Sequence, residues 1–140
     1  MSGRDKVLMR QAIALARTRE GATGPNPSVG CVIAIGERAI AEAATAAGGR
    51  PHAEEQALNL AGQLARGATA FVTVEPCAER SNGSCSCAAR LIAAGIARVV
   101  YALDNSDPRS AGRGPAELRQ AGVAVERGFL ADEAANPDQK

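Results

Sequence analysis

The spacing of apolar residues along this chain changes period several times, and each change marks an element. Val7, Leu8, Ile13, Leu15 and Ala16 recur among Arg and Lys over residues 5–19, which predicts a helix with one buried face. Glycines and prolines punctuate Gly21 to Pro27 as a loop. Val29 to Ile35 is a short unbroken apolar run, read as a buried strand, and Ala39 to Ala44 is a weaker one. Gly36-Glu37 between them predicts a hairpin. A second helix is expected from His52 to Ala65, with Ala57, Leu58, Ala61 and Leu64 along one face and Gly67 beyond its end. Then come a strand at Ala70–Val74 and an irregular loop over Glu75–Ser84. A third helix opens near Cys85–Cys87 and ends at Ala94 before Gly95, and a strand runs from Arg98 to Leu103. A polar loop covers Asp104–Arg113. Glu117 to Ala121 lies in a helix stopped by Gly122, Val123–Glu126 is a last short strand, and residues 131–140 read as a frayed tail.

This order, one helix, a hairpin, then alternating helices and strands, predicts an α/β fold. One mixed five-stranded sheet would be covered by helices on both faces, a three-layer α/β/α sandwich. At 140 residues the chain suits a single domain spanning 1–140. Aromatic residues make up only 2% of it (Phe71, Tyr101 and Phe129), so the core is expected to be aliphatic and rich in Ala. The formal charge of +1 comes from 16 basic and 15 acidic residues spread without a basic stripe. A polynucleotide site needs a positive groove and stacking rings, so no polynucleotide partner is expected. No apolar run reaches membrane length and no signal-type apolar segment opens the chain, which points to a cytoplasmic protein without membrane contact. In that compartment four cysteines favour metal or structural roles over disulfides.

His52 is the only histidine, and it stands two residues before Glu54 at the opening of the second helix. Pro76-Cys77 follows downstream, then Cys85 and Cys87. One imidazole and two thiolates make three zinc ligands, which leaves the fourth position for water. A nearby carboxylate that is not a ligand can move that water's proton. Both ligand segments follow a strand and open a helix, so they gather at one end of the sheet, where helix N-termini favour thiolate over thiol.

Together these residues resemble the zinc-dependent cytidine deaminase superfamily, whose signature is H-x-E with P-C…C. A closer similarity is to the deaminase domain of the riboflavin-biosynthesis pyrimidine deaminase/reductase. It is carried by Gly24-Pro25-Asn26-Pro27-Ser28-Val29-Gly30-Cys31-Val32, Gly49-Arg50-Pro51-His52-Ala53-Glu54, Thr73-Val74-Glu75-Pro76-Cys77, Cys87-Ala88-Ala89-Arg90-Leu91-Ile92 and Ala111-Gly112-Arg113-Gly114. The resemblance implies a cytidine deaminase-like sandwich and Zn²⁺ on His52, Cys77 and Cys87, with Cys85 as the alternate ligand. It also implies proton transfer by Glu54 and a stand-alone deaminase of a small heterocycle, since the reductase half is absent. Asn26, Ala53, Glu79, Asn82, Asn105 and Asp107 take positions that line the substrate. Three of these regions depart from the family pattern. Glu79 and Asn82 stand where the family has a His and a basic residue, and Asn105-Ser106-Asp107-Pro108 replaces Asp-Pro-Asn-Pro. Loss of the basic residue removes a phosphate partner, and Arg80 is the nearest replacement. Subunits in this superfamily commonly associate, so a homodimer or homotetramer is implied.

Several plainer readings stand beside these. Cys31 in its apolar strand is a core residue. Cys85 and Cys87 also have the look of a redox pair. Asn26 between two prolines suits a turn, and Glu75 reads as support for its loop. The enzyme alternative is a deaminase of a free base or nucleoside such as cytosine or guanine. The non-enzyme alternative is a structural zinc module in which His52, Cys77, Cys85 and Cys87 fill all four positions.

Overall fold

The computed structural model describes residues 3–22, 28–49, 51–77, 87–104 and 111–135. Helix α1 (Gly3–Arg17) leads to the antiparallel pair β1 (Gly30–Ile35) and β2 (Arg38–Ala44). Helix α2 (Ala53–Ala61) precedes β3 (Thr69–Val74), and α3 (Cys87–Ala93) precedes β4 (Arg98–Leu103). Helix α4 (Arg113–Gln120), β5 (Ala124–Glu126) and α5 (Ala131–Ala135) complete the described residues. The sheet order is β2-β1-β3-β4-β5; β1 runs antiparallel to β3, while β3, β4 and β5 are parallel.

The central strands are unbroken apolar runs because both of their faces are covered. Alternation of side chains sends Cys31, Ile33, Ala70, Val72, Val99 and Tyr101 to one face, against Ala53, Ala57 and Ala61 of α2, Leu91 of α3 and Leu118 of α4. Val32, Ala34, Phe71, Val100 and Ala102 go to the other, against Leu8, Met9, Ala12 and Ile13 of α1. Register places Val32 opposite Phe71 and Phe71 opposite Val100, so these side chains form one continuous row. The three-layer expectation and the mixed five-stranded sheet both describe this arrangement. Among the described residues, no helix is long and apolar enough to cross a membrane.

Three readings of the sequence need correction. Residues 131–135 are not frayed: they form α5. Arg10 of α1 holds Glu133 through two hydrogen bonds of 2.9 and 3.0 Å, and Arg17 donates to the Glu133 carbonyl at 2.9 Å. Leu130 and Ala134 pack on the α1 face of the sheet, an anchorage that no local pattern announces. The second helix ends at Ala61 and continues to Ala65 only as a 3₁₀ turn, because Gly62 leaves helical geometry. The buried face of α1 is Leu8, Met9, Ala12, Ile13 and Ala16, whereas Val7 is 47% exposed.

Arg98 ties the α1 side to the far edge of the sheet. Its guanidinium reaches Asp5 at 3.0 Å and Glu126 at 2.6 Å, with its carbon 5.9 Å from the centre of the Phe71 ring. At the opposite end of the layer, Gly30 lets α1 lie directly on β1. A Cβ there would stand 1.9 Å from the Ala12 carbonyl oxygen. Gly30→Ala is therefore expected to destabilise the protein by about 3 kcal/mol, the upper end of overpacking costs. Urea denaturation should show a lower midpoint with an unchanged slope.

Candidate metal centre

The parallel β3–β4 pair decides where the site lies. The carboxyl end of β3 delivers Glu75-Pro76-Cys77 to the edge of the sheet where α2 and α3 begin. His52 occupies the N-cap position of α2 with extended backbone (φ −69°, ψ 159°), and its side chain makes no capping bond. Its carbonyl accepts the Gln56 amide at 3.2 Å. The Gln56 side chain donates to Ala44 O at 2.7 Å and Pro51 O at 3.1 Å, fixing the entry to the helix against the end of β2. The imidazole is thereby free to face the sulfurs, with Nδ1 lying 3.4 Å from Cys87 Sγ.

Cys87 is the first residue of α3, and its backbone N–H donates to Cys77 Sγ at 3.4 Å. The Ala88 N–H donates to the Cys77 carbonyl at 3.1 Å. The first turn of α3 thus grips both the main chain and the sulfur of Cys77. Donor atoms of His52, Cys77 and Cys87 all lie within 4.8 Å of one another. A tetrahedral zinc with bonds of about 2.3 Å to sulfur and 2.0 Å to nitrogen sets its donors roughly 3.5–3.8 Å apart. The three groups fit that ion by chemical type and by spacing. Cys31, Cys77 and Cys87 all carry thiols, and all are buried.

Glu54 sits two residues after His52 on the first turn of α2 and is only 4% exposed. Burial pushes its carboxyl up to about 7; its own backbone amide and His52 pull the other way. The two sulfurs share their proton unequally. A hydrogen bond from Cys87 draws Cys77 down to about 4 against the effect of burial, and the same bond with burial pushes Cys87 far above the ordinary thiol range. His52 is raised, first by its hydrogen bond with Cys77, while burial acts to lower it. Cys31 is fully buried in β1, and burial, with the Glu54 charge second, raises its thiol well above the usual value.

The structure brings His52, Glu54, Cys77 and Cys87 to one place, with Ala53 fully buried between the first two. Cys85, Asn26, Glu79, Asn82, Asn105 and Asp107 lie outside the described residues. The sequence patterns did not show the contacts that frame Cys77. Glu75 Oε2 accepts the Gly112 N–H at 2.7 Å, and a Cβ on Gly114 would stand 1.9 Å from the Pro76 carbonyl oxygen. Gly112-Arg113-Gly114 was visible only as a stretch of family resemblance, because a close approach between distant segments has no periodic signal.

Comparison with known proteins agrees with this geometry. Residues 2–103 match the sequence model described as "Cytidine and deoxycytidylate deaminase zinc-binding region". The riboflavin biosynthesis protein RibD of Escherichia coli (strain K12) is 45% identical over 130 residues, covering 93% of this chain and 35% of that protein. A diaminohydroxyphosphoribosylamino-pyrimidine deaminase of Buchnera aphidicola subsp. Schizaphis graminum is 37% identical, covering 93% of this chain and 88% of its own. The solved RibD structure from Acinetobacter baumannii (form 1) superposes with a TM-score of 0.90 at 43% identity, over 97% of this chain and 38% of that one. The chain thus spans little more than a third of the RibD proteins it matches. With this fold, and with His52, Cys77 and Cys87 drawn together at the edge of its sheet, the chain belongs to the cytidine and deoxycytidylate deaminase zinc-binding family.

Proposed function

We propose that this chain is a zinc-dependent hydrolytic deaminase acting on the phosphoribosylated diaminohydroxypyrimidine named in its Buchnera relative. One observation carries the reading: an imidazole and two sulfurs converge within 4.8 Å beside a buried carboxylate. His52 Nδ1, Cys77 and Cys87 would hold Zn²⁺. When bound, the ion is a Lewis acid able to lower the pKa of water from 15.7 to about 7.

The remaining work falls to the chain. Glu54, on the first turn of α2, takes a proton from the attacking water. It gives that proton to the ring nitrogen, then takes the second proton from the hydroxyl now on the ring carbon and passes it to the departing amine, so that the C–N bond breaks, the exocyclic amine leaves as ammonia and a carbonyl remains. The apolar packing behind Glu54, including fully buried Cys31 and Ala53, keeps the carboxylate from drifting and limits competing water. Asn26, Ala53, Glu79, Asn82, Asn105 and Asp107 are assigned to the substrate, and Arg80 to its phosphate.

Buried thiols reserved for a metal suit a reducing compartment, so we place the reaction in the cytoplasm. A homodimer or homotetramer belongs to the same reading. Leu60 and Leu64, 69% and 61% exposed on the outer side of the second helix and its 3₁₀ turn, offer apolar surface for it.

Ammonia release from zinc-loaded protein tests the substrate. The phosphorylated aminopyrimidine should be turned over, while cytosine, guanine and their nucleosides should not. Turnover of the free bases alone would replace this assignment. Glu54→Gln should retain one zinc per chain and lose at least a factor of about 10²–10⁴ in kcat, the usual contribution of a positioned acid/base; normal turnover would remove Glu54 from this role. Cys77→Ser and Cys87→Ser should each lose zinc by elemental analysis, whereas Cys85→Ser should keep it. Zinc loss in the Cys85 variant would instead favour the four-ligand structural site.

A further inference from the structure

The three donors fall into two halves, and each half is held by its own contacts. Cys77 and Cys87 form one half: the Cys87 N–H donates to Cys77 Sγ at 3.4 Å, and the Ala88 N–H donates to the Cys77 carbonyl at 3.1 Å. His52 forms the other. Gln56 ties its helix entry to the end of β2 through Ala44 O at 2.7 Å and Pro51 O at 3.1 Å. At the donors themselves the halves meet where His52 Nδ1 lies 3.4 Å from Cys87 Sγ. A ring nitrogen that binds a metal no longer holds a sulfur by a hydrogen bond. The separation of the halves therefore has to be set elsewhere.

One helical turn on, the two helices carry opposite charges. Glu55 follows His52 by three residues in the first turn of α2, and Arg90 follows Cys87 by three residues in the last turn of α3. Arg90 Nη2 lies 3.5 Å from Glu55 Oε2, and both side chains are part-buried. Residues three apart are neighbours on a helix surface, so the ion pair stands next to the donors. Each charge also suits the end of the helix that carries it. Ala53 and Ala57 of α2 share one buried cluster with Ala88 and Leu91 of α3. Apolar burial is non-directional, so it holds both helices on the sheet without fixing how one slides past the other. An ion pair weakens with distance and resists that slide.

We infer that Glu55 and Arg90 are positioning residues: their ion pair braces α2 against α3 and so sets the separation of His52 from Cys87. The inference rests on the ligand set proposed above. Neither residue binds the metal in this role. The Glu55 charge also reaches the donors: after the hydrogen bond with Cys77, the largest cause for both groups, it is among the charges that raise His52 and Cys87. A field acting without a brace has a different consequence. The carboxylate would then favour a bound cation and the guanidinium would oppose it, whereas a brace needs both partners.

Zinc affinity of the full chain, measured by competition with a chromophoric chelator, separates brace from field. Glu55→Gln and Arg90→Met should each weaken zinc binding about threefold, the scale of a part-exposed ion pair. The double variant should bind no more weakly than either single one, because the same contact is removed only once. Arg90→Lys keeps the charge and should stay within about twofold of wild type. Circular dichroism should show each variant folded without zinc, so that weaker binding reports the site. Should one single variant unfold without zinc, the other decides alone. Tighter binding in Arg90→Met would overturn the inference in favour of a field effect, and wild-type affinity in both single variants would overturn it too. A wild-type chain that binds no zinc would instead overturn the ligand set, and the inference with it.

Discussion

Bringing an imidazole and two sulfurs within 4.8 Å of each other inside a protein is costly unless the backbone has already placed them. Here that work is done by the parallel β3–β4 pair and by the helices that start at its carboxyl edge. Cys77 follows β3, Cys87 opens α3 and His52 stands at the N-cap position of α2, so each donor lies where a strand or loop meets a helix or the loop before one. Such junctions leave amide N–H groups without helical partners. Cys77 uses two of them, one for its sulfur and one for its carbonyl. The metal site and the ends of the helices therefore stabilise each other.

The same arrangement explains why the core contains so little aromatic bulk. Ala53, Ala57 and Ala61 let α2 approach the sheet closely, and Gly30 does the same for α1. Close approach keeps His52 and Glu54 low over the ends of the strands. The cost of thin layers is a small apolar area per residue, and polar clamps at the periphery offset part of it. Arg98 with Asp5 and Glu126 holds one edge, while Arg10 with Glu133 holds α5 to α1. These ion pairs are partly exposed, so they contribute more to the placement of elements than to their stability.

Glu54 and Glu75 are both buried carboxylates near Cys77, and their surroundings separate their duties. Glu54 stands on a helix beside the donor cluster with an apolar wall of Cys31 and Ala53 around it. Glu75 is tied to the Gly112 amide and to the end of β4, which leaves it in a structural frame. In neither case does residue type alone reveal the duty.

Much of this protein was legible before any coordinates. The strand runs were readable because a strand buried on both faces must be apolar over its buried stretch, as Val99 to Ala102 are within β4. His52-Ala53-Glu54 and Pro76-Cys77 were readable because metal chemistry restricts residue type and short spacing. Periodicity could not see α5, whose place depends on Arg10 and Arg17 more than a hundred residues away. Nor could it place Cys87 Sγ beside His52, or find the closeness of Gly114 to Pro76 and of Glu75 to Gly112. Local sequence determined which segments become strands and helices and which side chains can hold a metal, because those properties depend on neighbours along the chain. The meeting of those side chains, and the fixing of the ligand loop, was decided by tertiary structure, because it depends on the order in which the strands pair.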